Sequence, residues 1–418
     1  MAVQEKLEAA RVQTRLDPQT GQPLSALGFG CMRFPRALGG GHDSAKTAQL
    51  ILEAVERGVN YFDTAYIYGG SEETLGGILE AHRLRDRVNI ATKLPAFGCN
   101  SYEDFDRIFN ESLRRLRTDH IDYYLIHNLG APGTWDRLTG LGIERWIAGK
   151  KASGQIRRIG FSFHGSKTNF MRLLDMYPWE FVQIQYNYLN PLDQAGVDGL
   201  RAIAAKGLAV IIMEPLLGGK LANPPKKTAA VLAGSPHSDW SPAQWGMRWL
   251  LNQPEVTVIL SGMNAMDQLR DNIGATQNAE PGHLTADDMA VFDKARASIT
   301  DANRVRCTGC AYCLPCPKGV NIPGCFAAYN MTYGVSYFDG FKNYLTAVGA
   351  SDPDHYSGAR RCVGCGVCVK KCPQSIAIPD ELRRVARRVD LPFMLPAFRL
   401  FFGRGKKNRK RAEDAANG

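Results

Sequence analysis

The chain of 418 residues lacks any apolar run approaching the ~20 residues of a membrane-spanning helix. Its opening segment also lacks the basic, apolar, small-residue order of a secretion signal. Cysteine is scarce through its long first part, where only Cys31 and Cys99 precede residue 300. These absences exclude a membrane-embedded or disulfide-stapled body. They set the expectation of a cytoplasmic protein, in which thiols stay reduced and dense cysteine clusters hold metal rather than pair. Disorder is not expected either, since 44% hydrophobic and 22% charged residues are ordinary for a globular chain. Net charge is missing from most of the molecule. From Arg383 to Arg411 there are 11 Lys or Arg against Asp390 alone, which gives +10, equal to the formal charge of the whole chain and leaving zero for the rest. The basicity thus belongs to the tail, and no nucleic-acid partner is expected. Within that tail "LPFMLPAFRLFF", 391–402, is apolar but short and is broken by Pro392 and Pro396. It is read either as a surface element touching an acidic partner or an anionic membrane surface, or as a packed segment before a solvated basic end.

At roughly 100 to 200 residues per domain, the length points to one large domain and a smaller one. From about Ala26 to Ile273, short apolar runs alternate with amphipathic stretches, the rhythm of parallel strands joined by crossover helices. The runs are 25–30, 60–63, 88–93, 122–127, 156–162, 181–185, 209–213 and 256–262, and this count and length are those of a TIM (β/α)8 barrel. Helices are expected over 44–57, 71–82, 102–117, 167–176, 197–206, 242–252 and 266–273, the second opening on Ser71 as a cap. One more, over 284–299, closes the barrel region. The expected division is a barrel, 1–303, a small cysteine-rich domain, 304–382, and the basic tail, 383–418. The loops 130–146 and 223–245 are read as specificity loops, with Trp135, Trp146, Trp240 and Trp245 either shaping an apolar pocket or packing.

In such a barrel, residues at the C-terminal ends of strands face the active site. Asp63 closes the second strand, Tyr68 follows in its loop, Lys93 closes the third and His127 the fourth. A phenol beside an ammonium beside a carboxylate is a proton-delivery device: the ammonium lowers the phenol pKa, and the carboxylate holds the ammonium charged and in place. A nearby histidine orients a carbonyl oxygen for hydride attack. Taken singly, Asp63 reads equally as a strand-end ion pair and His127 as a satisfied buried histidine. Four compatible groups at the ends of three consecutive strands favour the catalytic reading.

The segments "GVNYFDTAYIYGGSEETLGGIL", "ATK", "DYYLIHN" and "LGFGCMRFP" resemble the aldo-keto reductase family over roughly residues 20–300. The resemblance implies an NAD(P)H-dependent carbonyl reductase in which Tyr68 is the general acid, Asp63 and Lys93 tune it, and His127 helps position the substrate carbonyl. It carries nicotinamide contacts onto Ser162 and Gln185 and the pyrophosphate loop onto "EPLLGGKL", with Pro215, Leu216 and Gly218. Further dinucleotide contacts fall on Ser261, Gly262, Gln268 and Asn272. Two departures stand out. Ser162-Phe163-His164 occupies a place where many relatives have Ser-Asn, and Gly262 and Gln268 align with basic residues that often grip the 2′-phosphate of NADP. The choice between NADP and NAD is left open.

The late cysteines form two runs. Cys362, Cys365, Cys368 and Cys372, followed by Pro373, have the spacing of bacterial ferredoxins without deviation, while Cys307, Cys310, Cys313 and Cys316, followed by Pro317, are one residue short before the fourth. In two-cluster ferredoxins each run gives three thiolates to one cluster and its fourth to the other. By that pattern Cys307, Cys310, Cys313 and Cys372 hold one [4Fe-4S] cluster and Cys362, Cys365, Cys368 and Cys316 the second. Zinc is the alternative, since paired Cys-x2-Cys motifs also fold around it. Cys325, Cys31 and Cys99 fall outside the pattern. A subset of aldo-keto reductase-like proteins carries such a ferredoxin-like C-terminal extension, and nearly the whole chain resembles that subset.

A nicotinamide passes two electrons as a hydride, whereas a cluster passes one at a time, so direct exchange needs a converter such as a flavin. No motif locates a flavin, although a barrel mouth can hold one. The expected function is an oxidoreductase that reduces an aldehyde, ketone or related small-molecule substrate with NAD(P)H and uses two [4Fe-4S] clusters for electron transfer or sensing. Two alternatives stay open: a reductase whose clusters bring electrons from a ferredoxin or other redox partner, and a non-catalytic nicotinamide-binding regulatory or electron-transfer subunit.

Overall fold

A computed structural model describes residues 10–37, 39–334, 336–350 and 356–390, of 300–302 the backbone alone. The segment 391–418, with its apolar run and most of its basic residues, lies outside the described residues. The chain divides into two compact units, Met1–Asn223 with Leu232–Phe292, and Pro224–Val231 with Asp293–Gly418. The helix Ala286–Ala302 runs across that division. Among the described residues no helix is long and apolar enough to cross a membrane.

The first unit opens with a hairpin that the sequence reading missed, β1 (Thr14–Leu16) and β2 (Pro23–Ser25). Three-residue strands are too short to show alternation. Asp17 turns the chain between them, accepting the Gln19 amide at 2.9 Å, and accepts the Tyr123 hydroxyl of a barrel strand at 3.1 Å. Eight parallel strands then close into a barrel: β3 (Leu27–Gly30), β4 (Tyr61–Asp63), β5 (Asn89–Pro95), β6 (Ile121–His127), β7 (Ile156–Phe163), β8 (Phe181–Gln185), β9 (Ala209–Met213) and β10 (Val256–Ser261), with β10 beside β3. Each begins and ends within two residues of its expected run. The interior is filled by Tyr61, Ala91, Tyr123, Leu125, Phe181, Ile211, Val258 and Leu260, with Leu24 of the hairpin among them. Gly160 on β7 leaves room for this packing, because a methyl group there would meet the Phe181 ring at 2.8 Å and its carbonyl oxygen at 2.3 Å.

The expected helices are present. The helix Ser71–Ala81 is not capped by Ser71, however. Its N-cap is Gly70 in the left-handed region at φ 74°, with no side-chain cap bond. The buried Ser71 hydroxyl instead donates to the Cys31 carbonyl at 2.9 Å and meets Thr64 Oγ1 at 2.8 Å, tying together the loops after β3 and β4. The stretch read as a specificity loop is largely helical, Pro132–Gly140 and Ile143–Ala152. Its tryptophans pack: Trp135 lies 4.8 Å from Trp179, and Trp146 lies 5.5 Å from Phe109, between ring centroids. Trp240 stacks on His237 at 3.9 Å and Trp245 is wholly buried against Phe292.

In the second unit the helices Ile322–Gly334, Tyr337–Ala347 and Ile378–Val389 share a core that includes Phe326, Tyr344, Val348, Leu382 and Val385. Residues 383–389, expected in the basic tail, continue the last of these helices. The next residue, Asp390, is buried and accepts the hydroxyls of Tyr344 at 2.7 Å and Tyr356 at 2.5 Å and the Arg360 amide at 3.0 Å.

Candidate active site and cysteine centre

Side chains along a strand alternate between faces, so residues two beyond an interior residue point the same way, one layer higher. Tyr61 leads to Asp63, Ala91 to Lys93, Leu125 to His127, and Phe181 to Gln183 and Gln185. The catalytic candidates are therefore the top layers of the same interior column that Tyr61 and Leu125 fill below. Lys93 Nζ donates to Asp63 Oδ1 at 2.7 Å and to the Thr64 carbonyl at 2.6 Å, and Gln183 Nε2 donates to Asp63 Oδ2 at 3.1 Å. Lys93, Asp63 and His127 are 1%, 5% and 4% exposed. Burial pushes the Asp63 carboxyl above its ordinary range, and the Lys93 ammonium opposes that shift. An ion pair so enclosed persists because both oxygens and the ammonium have hydrogen-bond partners.

Tyr68, half-buried in the loop after β4, stands over this pair. Its ring centroid is 5.2 Å from Lys93 Nζ, and His127 meets the ring edge-on at 5.9 Å and 86°. Burial, then the Lys93 charge, hold the His127 pKa well below the usual value, so the imidazole is neutral. The structure therefore brings Asp63, Tyr68, Lys93 and His127 together. Cys31 is buried beside them, with its thiol pushed well up by burial and by Asp63. Cys99 is also fully buried, its thiol raised to about 11 by burial.

The dinucleotide candidates occupy neighbouring strand ends. Ser162 Oγ accepts the Asn128 amide at 2.9 Å, which fixes the loop after β6 to β7. In the Ser162-Phe163-His164 segment, His164 meets Gln194 Oε1 through Nδ1 at 3.1 Å, and the Gln194 amide donates to Gln185 Oε1. Burial lowers the His164 pKa to about 4. Pro215 and Leu216 lead into the turn Leu217–Gly219, where Gly218 at φ 68° and Gly219 at φ 95° are left-handed. Ser261 Oγ accepts Asn272 Nδ2 at 2.8 Å, and Gln268 Oε1 accepts the Asn264 amide at 3.0 Å. Arg270 faces elsewhere and pairs with Glu53 at 3.5 Å. The sequence reading missed Arg33. This exposed residue donates to the Gly218 carbonyl at 3.3 Å, and its Cδ would lie 3.6 Å from a methyl group at Gly262. Gln183 and Gln194 were missed too. Period two from Phe181 marks Gln183 as interior, whereas Gln194 sits in an irregular loop that gives no such signal.

In the second unit the negative charges of Cys307, Cys310 and Cys372 reinforce the burial that raises the Cys313 thiol to about 12. The Cys368 thiol is likewise raised by burial and by Cys362, Cys316 and Cys365. Cys307, Cys310 and Cys313 of the first run and Cys372 of the second line one pocket with Ile322 and Phe326. Among the described residues, no three or more His, Cys, Asp or Glu form a site for a single metal ion. Gly309, Gly364 and Gly366, each at φ 74°, turn the chain between ligands, and the Gly309 amide donates to Cys307 Sγ at 3.4 Å. The residues present fit a multi-iron cluster.

Residues 26–297 match the aldo/keto reductase family model. The chain belongs to the aldo/keto reductase family. Residues 306–377 match a second model, the 4Fe-4S dicluster domain, so this aldo/keto reductase is an oxidoreductase carrying an iron-sulfur domain. The chain is 28% identical to an L-galactose dehydrogenase of Arabidopsis thaliana over 296 residues, which cover 65% of this chain and 90% of that one. An aldo-keto reductase of Mycolicibacterium vanbaalenii is 32% identical over 257 residues, 60% of this chain and 83% of that one. Among solved structures, a holo-form aldo-keto reductase from Bacillus halodurans superposes with a TM-score of 0.56 at 25% identity, covering 68% of this chain and 96% of that one. An aldo-keto reductase from Klebsiella pneumoniae in complex with NADPH, at TM-score 0.54 and 20% identity over 68% of this chain and 95% of that one, shares the fold.

Proposed function

We propose that this aldo/keto reductase reduces an aldehyde or ketone with NADPH or NADH at the mouth of the barrel. The reading rests on the buried Lys93–Asp63 pair beneath the Tyr68 ring, with neutral His127 at the ring edge. The nicotinamide, when bound, supplies a hydride to the carbonyl carbon. The Tyr68 hydroxyl gives its proton to the carbonyl oxygen as the alcohol forms, and the nearby ammonium stabilises the phenolate left behind. Asp63 and the Thr64 carbonyl keep Lys93 in place, and Gln183 occupies the second carboxylate oxygen so that the pair does not rearrange. A neutral His127 can donate an N–H to the carbonyl oxygen without competing to supply the proton. Solvent returns a proton to Tyr68 after the product leaves.

The donor set suits a dinucleotide. Ser162 and the Gln185–Gln194–His164 chain offer hydroxyl and amide groups for a carboxamide, and the glycine-rich turn at 218–219 allows close approach by a pyrophosphate. Arg33, held between Gly218 and Gly262, supplies the positive charge absent from Gly262 and Gln268. A pyrophosphate contact at Arg33 would serve NADH and NADPH alike. Cys307, Cys310, Cys313 and Cys372 hold one [4Fe-4S] cluster and Cys316, Cys362, Cys365 and Cys368 the other, a reading supported by the ferredoxin-like spacing of the runs and by the pocket that the first four share. Eight thiolate ligands suit a reducing compartment, the cytoplasm. The test is steady-state turnover of an aromatic aldehyde by anaerobically purified protein. Tyr68→Phe lowers kcat by ~10²- to 10⁴-fold, the range for loss of a general acid. Unchanged turnover refutes the role.

A further inference from the structure

The second cysteine run carries charge of one sign. Between Tyr356 and Ala377, Arg360, Arg361, Lys370 and Lys371 are all exposed, and the segment contains no Asp or Glu. Lys318, exposed next to Pro317, belongs to the same side, because the Arg361 guanidinium lies 3.9 Å from where a methyl group on Gly319 would sit. Arg360 is held against the fold, its amide donating to the buried Asp390 carboxylate and its guanidinium to the Asp390 carbonyl. The Arg361 guanidinium donates to the Tyr356 carbonyl, which cancels no charge. Of the acids flanking the segment, Asp352 and Asp354 lie outside the described residues, and Asp380 and Glu381 pair with Arg383 and Arg384 of their own helix. Among the described residues, no acid pairs with Lys318, Arg361, Lys370 or Lys371, and these four cations act outward.

Exposed valines lie between Arg361 and Lys370 along the chain. Val363 is 63% exposed, Val367 40% and Val369 37%, and Cys365, a ligand candidate, is exposed among them. The other group of four has its cavity backed by Ile322 and Phe326 and presents no comparable valine face. An exposed ligand candidate, Cys365, flanked along the chain by exposed valines and by Arg361, Lys370 and Lys371, with Lys318 on the Arg361 side, is the complement of a small protein whose own redox centre lies in an apolar face rimmed by carboxylates.

We propose that this face docks an acidic one-electron carrier protein and is where electrons enter the cluster held by Cys316, Cys362, Cys365 and Cys368. The inference rests on the cluster assignment above. In each encounter one electron moves: the reduced carrier is oxidised by one electron and the cluster is reduced by one, with no bond or proton transferred. The cations steer approach and set orientation, so association weakens as salt screens them. The valines exclude water at the contact.

The test uses anaerobically purified full-length protein whose iron content and electron paramagnetic resonance have been measured. Its probes are a strongly acidic bacterial-type ferredoxin, a ~20-nucleotide single-stranded oligonucleotide and anionic lipid vesicles. Binding is read by calorimetry and electron entry by stopped-flow absorbance with reduced ferredoxin. Wild type binds the ferredoxin, and the affinity falls about tenfold or more on raising salt to ~0.5 M. The triple variant Arg361→Glu, Lys370→Glu, Lys371→Glu keeps both clusters and loses about tenfold or more in affinity and electron-entry rate at low salt. The milder Lys370→Gln, Lys371→Gln pair shows a smaller loss of the same kind. Equal affinity of wild type and triple variant, or tighter binding of the oligonucleotide or vesicles than of the ferredoxin, overturns the proposal alone. A wild type lacking the second cluster overturns the cluster assignment and the docking face together.

Discussion

In the barrel unit, groups that act together are distant in sequence and fixed in space. Asp63 meets Lys93 across 30 residues and Gln183 across 120, each carried on a strand whose lower residues fill the barrel interior. The cysteine-rich unit is built the other way: within each run the cysteines lie a few residues apart on glycine turns, steadied by a smaller core and by Asp390 behind the second run. Scattered residues on rigid elements give a buried, desolvated ion pair. Clustered residues on turns give an accessible centre, with Cys365 at the surface. The proposed hydride chemistry, which must exclude water, would sit in the first, and the proposed exchange with a partner would use the second.

The sharpest way to break this contrast is to disturb one unit and watch the other. Lys93→Met leaves Asp63 buried without its counter-charge. We expect turnover to fall at least as far as in Tyr68→Phe, and the barrel to lose ~3 to 5 kcal/mol, the usual effect of breaking a buried pair. Iron content and cluster absorbance stay unchanged, and their loss would show that the units do not stand separately. The converse is Cys316→Ala. If ligands cross between runs, the variant loses the cluster shared with Cys362, Cys365 and Cys368, and about half the iron, while nicotinamide binding by fluorescence is unaffected. Loss instead of the cluster held by Cys307, Cys310 and Cys313 would reverse the assignment.

Smaller effects sharpen the account of the barrel mouth. Arg33→Met should weaken NADPH and NADH by about tenfold each, the order expected for one charge-assisted phosphate contact. Weakening of NADPH alone, in fluorescence titrations, would move Arg33 to the 2′-phosphate. The smallest change concerns acid. His164 has a folded pKa of about 4, below the ordinary ~6.5, so the unfolded chain binds its proton first and stability falls as pH drops through that window. His127 acts in the same direction. His164→Asn removes one such proton and flattens the loss by at most ~1.4 kcal/mol per pH unit, read from urea midpoints between pH 5 and pH 7. An unaltered slope would mean that His164 is not buried neutral.

Much of this architecture is legible in the amino-acid sequence. Eight apolar runs mark the strands because interior and helix-facing positions are both buried, leaving unbroken hydrophobic stretches. Strand ends mark Asp63, Lys93 and His127. Cysteine spacing marks the second unit. What stays hidden is what neither period nor spacing encodes. The short hairpin at Thr14–Leu16 and Pro23–Ser25 offers too few residues for alternation. "GTWDRLTGLGIERW" reads as a loop because its glycines interrupt two helices whose tryptophans pack inward. Ser71 has the sequence context of a cap, yet burial beside Cys31 and Thr64 gives its hydroxyl other partners. Arg33 and Gln194 lie on loops, where only the fold determines what they meet.

The most direct test of barrel chemistry follows the hydride itself. NADPH carrying deuterium at nicotinamide C4 on the transferred face is supplied anaerobically with an aromatic aldehyde, and the alcohol is weighed by mass spectrometry while cluster absorbance is followed. The account predicts one deuterium at the former carbonyl carbon, no bleaching of the clusters on the timescale of turnover, and loss of labelled product in Tyr68→Phe. Unlabelled alcohol from either NADPH face, formed as the clusters bleach and reoxidise, would contradict it and place the electrons for carbonyl reduction in the iron-sulfur unit.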